Sequence, residues 1–187
     1  MTTGAIAFED PAWQSLIRDR LLCEWIAGGE RDGEGGIGEK LATLRVNMHY
    51  AFPAAAVFDA ASSGCRDASQ LAGNLKAALE RRMPDGTALF ASPDGRVGLL
   101  FSWSASGELE PWRRGAESAL GRPVHVGVGN PCNRLTDVRR SYAQAVSALD
   151  HKFYRSADRV IHYRDVFPLR ELHAYPLRQE RELAEWL

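Results

Sequence analysis

The chain has 187 residues and a mass of 20.7 kDa, a length that predicts one domain of about 150 residues with an appendage. Hydrophobic residues make up 45% and charged residues 25%, which excludes a wholly disordered chain. With 23 basic and 24 acidic residues the net charge is −1, so the chain as a whole exerts no electrostatic pull on nucleic acid or anionic lipid.

The three cysteines, Cys23, Cys65 and Cys132, are far apart and form no C-x-x-C, so reduced thiols are expected. No apolar run reaches the ~18 residues of a membrane span. The most apolar stretch, 51–61, is interrupted by Pro53 and Asp59. Glu9 and Asp10 stand where a signal peptide would be basic and then apolar, and a cytoplasmic protein is expected.

Asp10 and Pro11 open the first predicted helix, as cap and first helical residue. Trp13, Leu16, Ile17, Leu21 and Trp25 recur along it at helical spacing, and Gly28-Gly29 closes it. A glycine-rich link, G-G-E-R-D-G-E-G-G-I-G, runs to Gly38, and a short helix is expected over 39–45. Ala54 to Phe58 reads as a buried strand. Asp67 and Gln70 resemble a capping pair for a helix carrying Leu71, Leu75, Ala78 and Leu79 on one face. Two strand-like runs, 87–91 and 97–103, flank Ser92-Pro93-Asp94-Gly95-Arg96, where Asp94-Gly95 signals a hairpin. Leu109, Trp112, Ala116 and Leu120 mark a further helix. Val124 to Val128 reads as a strand. Leu135, Val138, Tyr142, Ala145, Val146 and Leu149 line a long helix, and a last strand is expected over 160–163. The first six elements from Ala54 run β-α-β-β-α-β. This is an α+β, split βαβ (ferredoxin-like) fold, an antiparallel sheet with helices on one face and an N-terminal helical extension. The expected organisation is a helical lead-in over 1–50, a core domain over 51–166 and a linker helix stub over 167–187, with Leu177, Leu183, Ala184 and Leu187 on one side of the stub.

Few motifs carry chemistry. Gly33, Gly35, Gly36 and Gly38 satisfy G-x-G-x-x-G, but a helix precedes them and Glu30, Asp32 and Glu34 would repel phosphate. They read as a link. Gly127 and Gly129 lie between a strand and a helix, where a loop can cradle an anion, although a structural turn is the simpler reading. His49, His125, His151, His162 and His173 show no i,i+4 pair, so no metal site is expected. In a split βαβ fold Asp59 and Asp94 fall side by side, and two carboxylates there suit Mg²⁺ and a nucleotide triphosphate. The plainer reading is a strand end and a turn residue. The pairs Arg81-Arg82, Arg113-Arg114 and Arg139-Arg140 read mainly as solvated faces, and Trp103 and Trp112 as core.

The segments V-H-V-G-V-G-N-P, R-L-T-D-V-R-R-S-Y-A-Q-A-V-S-A-L, H-K-F-Y-R and R-V-I-H-Y-R-D-V resemble a known domain. They are similar to the degenerate GGDEF-like, nucleotide-cyclase-like middle domain of AraC-type response regulators of two-component systems. Ser141, Tyr142 and Ala145, with Phe153 and Tyr154, carry most of the likeness. The resemblance implies a cyclase-like fold placed between a receiver domain and a DNA-binding pair of helix-turn-helix motifs. It further implies self-association and contacts with those neighbouring domains, with no cofactor, no membrane and no direct nucleic-acid binding by this segment. Active diguanylate cyclases carry G-G-[DE]-E-F where this chain has Ser92 to Arg96, and Pro93 lacks a backbone donor at that point. A non-catalytic regulatory domain is therefore expected, not an enzyme. A small-molecule sensor with its effector near Asp59, Asp94, Gly127 or Gly129 is the first alternative. A nucleotidyl cyclase using Asp59 and Asp94 is the second.

Overall fold

The computed structural model describes residues 11–28, 50, 52–60, 67–84, 87–152 and 159–166. The glycine-rich link beyond Gly28, the expected helix over 39–45, His49, Cys65, Phe153, Tyr154, His173 and the tail helix lie outside the described residues. The elements are α1 (Pro11–Ile26), β1 (Pro53–Asp59), α2 (Ala68–Glu80), β2 (Ala88–Ala91), β3 (Val97–Ser102), a 3₁₀ segment (Trp103–Glu108), α3 (Leu109–Leu120), β4 (His125–Val128), a 3₁₀ turn (Leu135–Asp137), α4 (Val138–Leu149) and β5 (Val160–His162).

The strands form one sheet in the order β2-β3-β1-β4-β5. β1 is antiparallel to both β3 and β4, and β5 joins β4 in parallel. All seven residues of β1 are buried. Successive side chains of a strand point to opposite faces, so β1 feeds two cores. Ala54, Ala56 and Phe58 pack with Leu75 and Leu79 of α2 and Leu109 and Ala116 of α3. Ala55 packs with Leu22 and Trp25 of α1 and Val138 of α4, and Val57 with Ala145 and Leu149. Helices thus cover both faces of the sheet, where one covered face was expected. The reason is the unbroken apolar run of β1, which a one-sided sheet would leave half in water.

The β2–β3 turn is a three-residue loop. Gly95 N–H bonds to Ser92 O at 3.0 Å, Ser92 N–H to Arg96 O at 2.8 Å, and Gly95 takes φ 86°. That positive φ explains the glycine after Asp94. Asp67 precedes α2 at φ −119°, ψ 60° and makes no side-chain cap bond, so the expected capping pair does not form. Of the adjacent arginine pairs, Arg113 is buried and held by Glu110 and Glu117, while Arg114 is exposed. Neighbours about 100° apart on a helix need not share an environment.

α1 is rolled relative to the expected face. Leu22 and Trp25 are buried, but Trp13 and Leu16 are 50% and 59% exposed. Polar anchors set this roll. Asp19 Oδ2 accepts the Ala91 N–H of the edge strand β2 at 3.1 Å, and Cys23 Sγ donates to Ala91 O at 3.4 Å. Lys76 of α2, itself buried, donates to Asp19 Oδ1 at 2.5 Å and to Ser15 Oγ at 2.7 Å. α1 therefore covers the end of an edge strand that would otherwise present unpaired backbone groups.

Replacing Asp19 by Ala removes an acceptor from Ala91 N–H and the nearer of two carboxylates from the buried Lys76 ammonium, leaving Glu80 at 3.8 Å. A loss of about 3 kcal/mol is expected, measured by urea unfolding; a loss below about 1 kcal/mol would show that this contact does not hold α1.

Candidate functional site

The register brings Asp59 to the base of the β2–β3 turn, because Phe58 pairs with Val97. Asp59 is 4% exposed, and Lys152, just past α4, donates to its Oδ2 at 2.7 Å. Asp94, in the turn, has a half-exposed side chain. Its Oδ1 accepts the Arg96 N–H at 3.4 Å, and its Oδ2 lies 3.7 Å from Arg96 Nε. Arg96 also reaches Asp150 at 3.6 Å. The two carboxylates thus share one end of the sheet, and each has its own cation there.

Gly127 and Gly129 lie directly under α4. A Cβ built on Gly127 would overlap the carbonyl oxygen of Ala145, and one on Gly129 would overlap that of Ser141. Gly129 N–H is bonded to Ala55 O at 2.9 Å. The volume in front of both glycines belongs to the helix backbone, and the approach is backbone to backbone.

The residues of the S-Y-A-Q-A segment act on this contact one by one. Ser141, fully buried, accepts the Ala55 N–H of β1 at 3.0 Å. Gln144 Oε1 accepts the Asn130 N–H at 3.1 Å. Ala145 supplies the carbonyl facing Gly127. Tyr142 turns the other way; its ring lies 5.8 Å from that of Phe90. Lys152 and Gln144 were not singled out in the sequence, because neither a lysine after a helix nor a glutamine within one announces its acceptor or donor.

Between α1, α4 and the β2–β3 turn lies a cleft of about 590 Å³. Its walls are mainly Ile26, Ala27, Phe90, Pro93, Ala143 and Val146. Cys23 and Tyr142 also line it. Burial, reinforced by Asp19, raises the Cys23 thiol to about 11, so at neutral pH it is a neutral thiol and no nucleophile. Burial also raises the Tyr142 phenol. Arg139 is half-buried, with its guanidinium carbon 5.9 Å from the centre of the Trp25 ring, so this arginine does not belong to a purely solvated face. Glu24 lines the rim and is ion-paired with Arg20 at 2.8 Å. Among the described residues, His125, His151 and His162 do not line the cleft. Arg159 contacts His125 Nε2 at 3.0 Å, and burial lowers the His125 pKa. Among the described residues no three His, Cys, Asp or Glu side chains converge as a metal cluster.

Ser141→Ala leaves the Ala55 N–H buried without its acceptor. A loss of about 1–3 kcal/mol is expected in urea unfolding; an unchanged midpoint for Ser141→Ala would contradict this assignment.

Comparison with known proteins agrees with this geometry. None of the curated proteins compared with the chain matches it. The family model described as GGDEF-like domain matches residues 28–151. That segment holds the whole of β1 through α4, the sheet end with Asp59 and Asp94, and the contact of α4 with Gly127 and Gly129. The chain belongs to the GGDEF-like domain family.

Proposed function

We propose that this GGDEF-like domain is a non-catalytic regulatory domain of an AraC-type transcription regulator, relaying phosphorylation or ligand state through contacts with a receiver domain, a DNA-binding region or a second copy. The ion pair of Asp59 with Lys152 carries the reading. A carboxylate placed to bind a nucleotide-bound cation is instead held by an ammonium 2.7 Å away. The turn adds support. It offers Pro93 without an N–H, and Gly95 in place of a second acidic residue, with Asp94 turned to Arg96. Among the described residues no helix is long and apolar enough to cross a membrane.

A sensor of small molecules is the second reading, favoured by the cleft beside the turn. Ligand at a hundredfold excess over Kd would stabilise the domain by about 2.7 kcal/mol.

Incubation with GTP or ATP and Mg²⁺ is expected to yield no cyclic nucleotide, and Lys152→Ala is expected to leave that unchanged. Product that disappears in Asp94→Ala would overturn the non-catalytic reading. The regulator context is tested by the parent reading frame, which is expected to encode a receiver domain upstream and a helix-turn-helix pair downstream; a frame with neither would refute it.

A further inference from the structure

β5 is a three-residue strand at the edge of the sheet, and its neighbour there is β4 alone. Ile161 is buried against Ala148 and Val166, while Val160 and His162 are partly exposed. So small an apolar footprint gives the strand little hold of its own. Its start is fixed twice through Arg159. The Arg159 carbonyl accepts the Val126 N–H at 2.8 Å, and a guanidinium nitrogen of Arg159 lies 3.0 Å from His125 Nε2. A guanidinium only donates, so Nε2 is the acceptor and His125 is the neutral imidazole with its proton on Nδ1. This contact and the imidazolium exclude one another.

We infer that the Arg159–His125 contact is an acid-sensitive clasp, which holds the start of β5 on β4 while His125 is neutral and opens when a proton from solvent occupies Nε2. The charges around His125 among the described residues give the clasp its direction. β1 presents Asp59, the register partner of His125, and Lys152 beyond α4 is paired with that carboxylate. α3 presents Arg113, which is itself paired with Glu110 and Glu117. The chain entering β5 presents Arg159. Burial first, and then Arg159, Lys152 and Arg113, hold His125 below its ordinary pKa of 6.5, with Asp59 acting in the opposite sense. When β5 lifts away, His125 regains water and loses the Arg159 charge, so it takes up a proton more readily. The clasp therefore holds above about pH 6.5 and weakens as pH falls below it. His162, at the far end of β5, is also held below its ordinary pKa, first by burial and then by Arg164, so acid acts on both ends of the strand in the same sense. The clasp is independent of the regulatory reading: it can fail while the domain remains inactive as a cyclase, and the reverse.

The test is amide hydrogen exchange of the full chain, followed by ¹H–¹⁵N NMR at about pH 7.5 and about pH 5.5, either side of an ordinary imidazole, and corrected for the intrinsic pH dependence of exchange. The Val126 N–H is the probe, since it donates to Arg159, and Leu99, in a strand paired on both sides, is the reference. Protection of Val126 relative to Leu99 is expected to fall about three- to tenfold at the lower pH, as uptake of one proton by a released imidazole requires. His125→Gln keeps an acceptor for Arg159 but does not titrate, and is expected to hold Val126 protection constant. Arg159→Gln is the second variant. Its amide donates to a neutral imidazole or accepts from an imidazolium, so the pH dependence is again expected to vanish. His162→Gln is expected to retain it. The His125 ring-proton shift of the parent is expected to titrate with a midpoint below 6.5. A Val126 protection that changes less than about twofold, a pH dependence that survives His125→Gln or Arg159→Gln or disappears in His162→Gln, or a His125 midpoint at or above 6.5 would each overturn the proposal.

Discussion

The contact on which the rest of this domain depends is the seating of α4 on β4, where Gly127 in the strand and Gly129 just past it meet two helix carbonyls. Gly127 faces the Ala145 carbonyl and Gly129 that of Ser141. Helix and sheet here touch through backbone, with no side-chain layer between them. That proximity lets the Ser141 hydroxyl reach into the sheet and accept the Ala55 N–H. It also fixes the rotation of α4. Tyr142 then lies over Phe90, Arg139 over Trp25, and the chain leaving α4 delivers Lys152 to Asp59. A residue with a Cβ at either glycine would lift the helix and disturb all of these together.

Two charged contacts act on that frame. Lys152 neutralises Asp59 at the sheet end, and Lys76 holds Asp19 at the sheet edge. Both are largely buried, so their contribution lies less in net stability than in fixing one arrangement. The first bears on the chemistry of the carboxylate that the cyclase-like fold places beside the turn. The second holds α1, of whose described side chains only Leu22 and Trp25 are fully in the core. α1 therefore rests on a small apolar footprint and a polar latch.

Much of the fold was legible in the sequence, because its elements obey simple periods. β1, the Asp94-Gly95 turn, α3 and the face of α2 followed from apolar spacing and turn chemistry. Three features did not. The roll of α1 depends on Asp19 finding Ala91 N–H, and apolar periodicity cannot see a polar anchor. The second covered face of the sheet follows from β1 being apolar on both sides, which a short run of alanines states only weakly. The seating of α4 was hidden because Ser141 breaks the apolar pattern and Gly127 and Gly129 look like loop residues. As for the site, the register places the end of β1, with Asp59, beside the turn that carries Asp94. Their cations were not legible, since Lys152 is 93 residues from Asp59 in sequence. The cleft joins three distant segments, so no local pattern encodes it.

The most direct measurement is the unfolding free energy of Gly127→Ala, with Gly73→Ala as its control. Gly73 lies exposed within α2, where an added Cβ meets nothing within 4 Å. Backbone-to-backbone seating of α4 predicts a loss of about 3 kcal/mol for Gly127→Ala and a gain of about 0.5–1 kcal/mol for Gly73→Ala. A Gly127→Ala protein within about 0.5 kcal/mol of the parent would contradict the account.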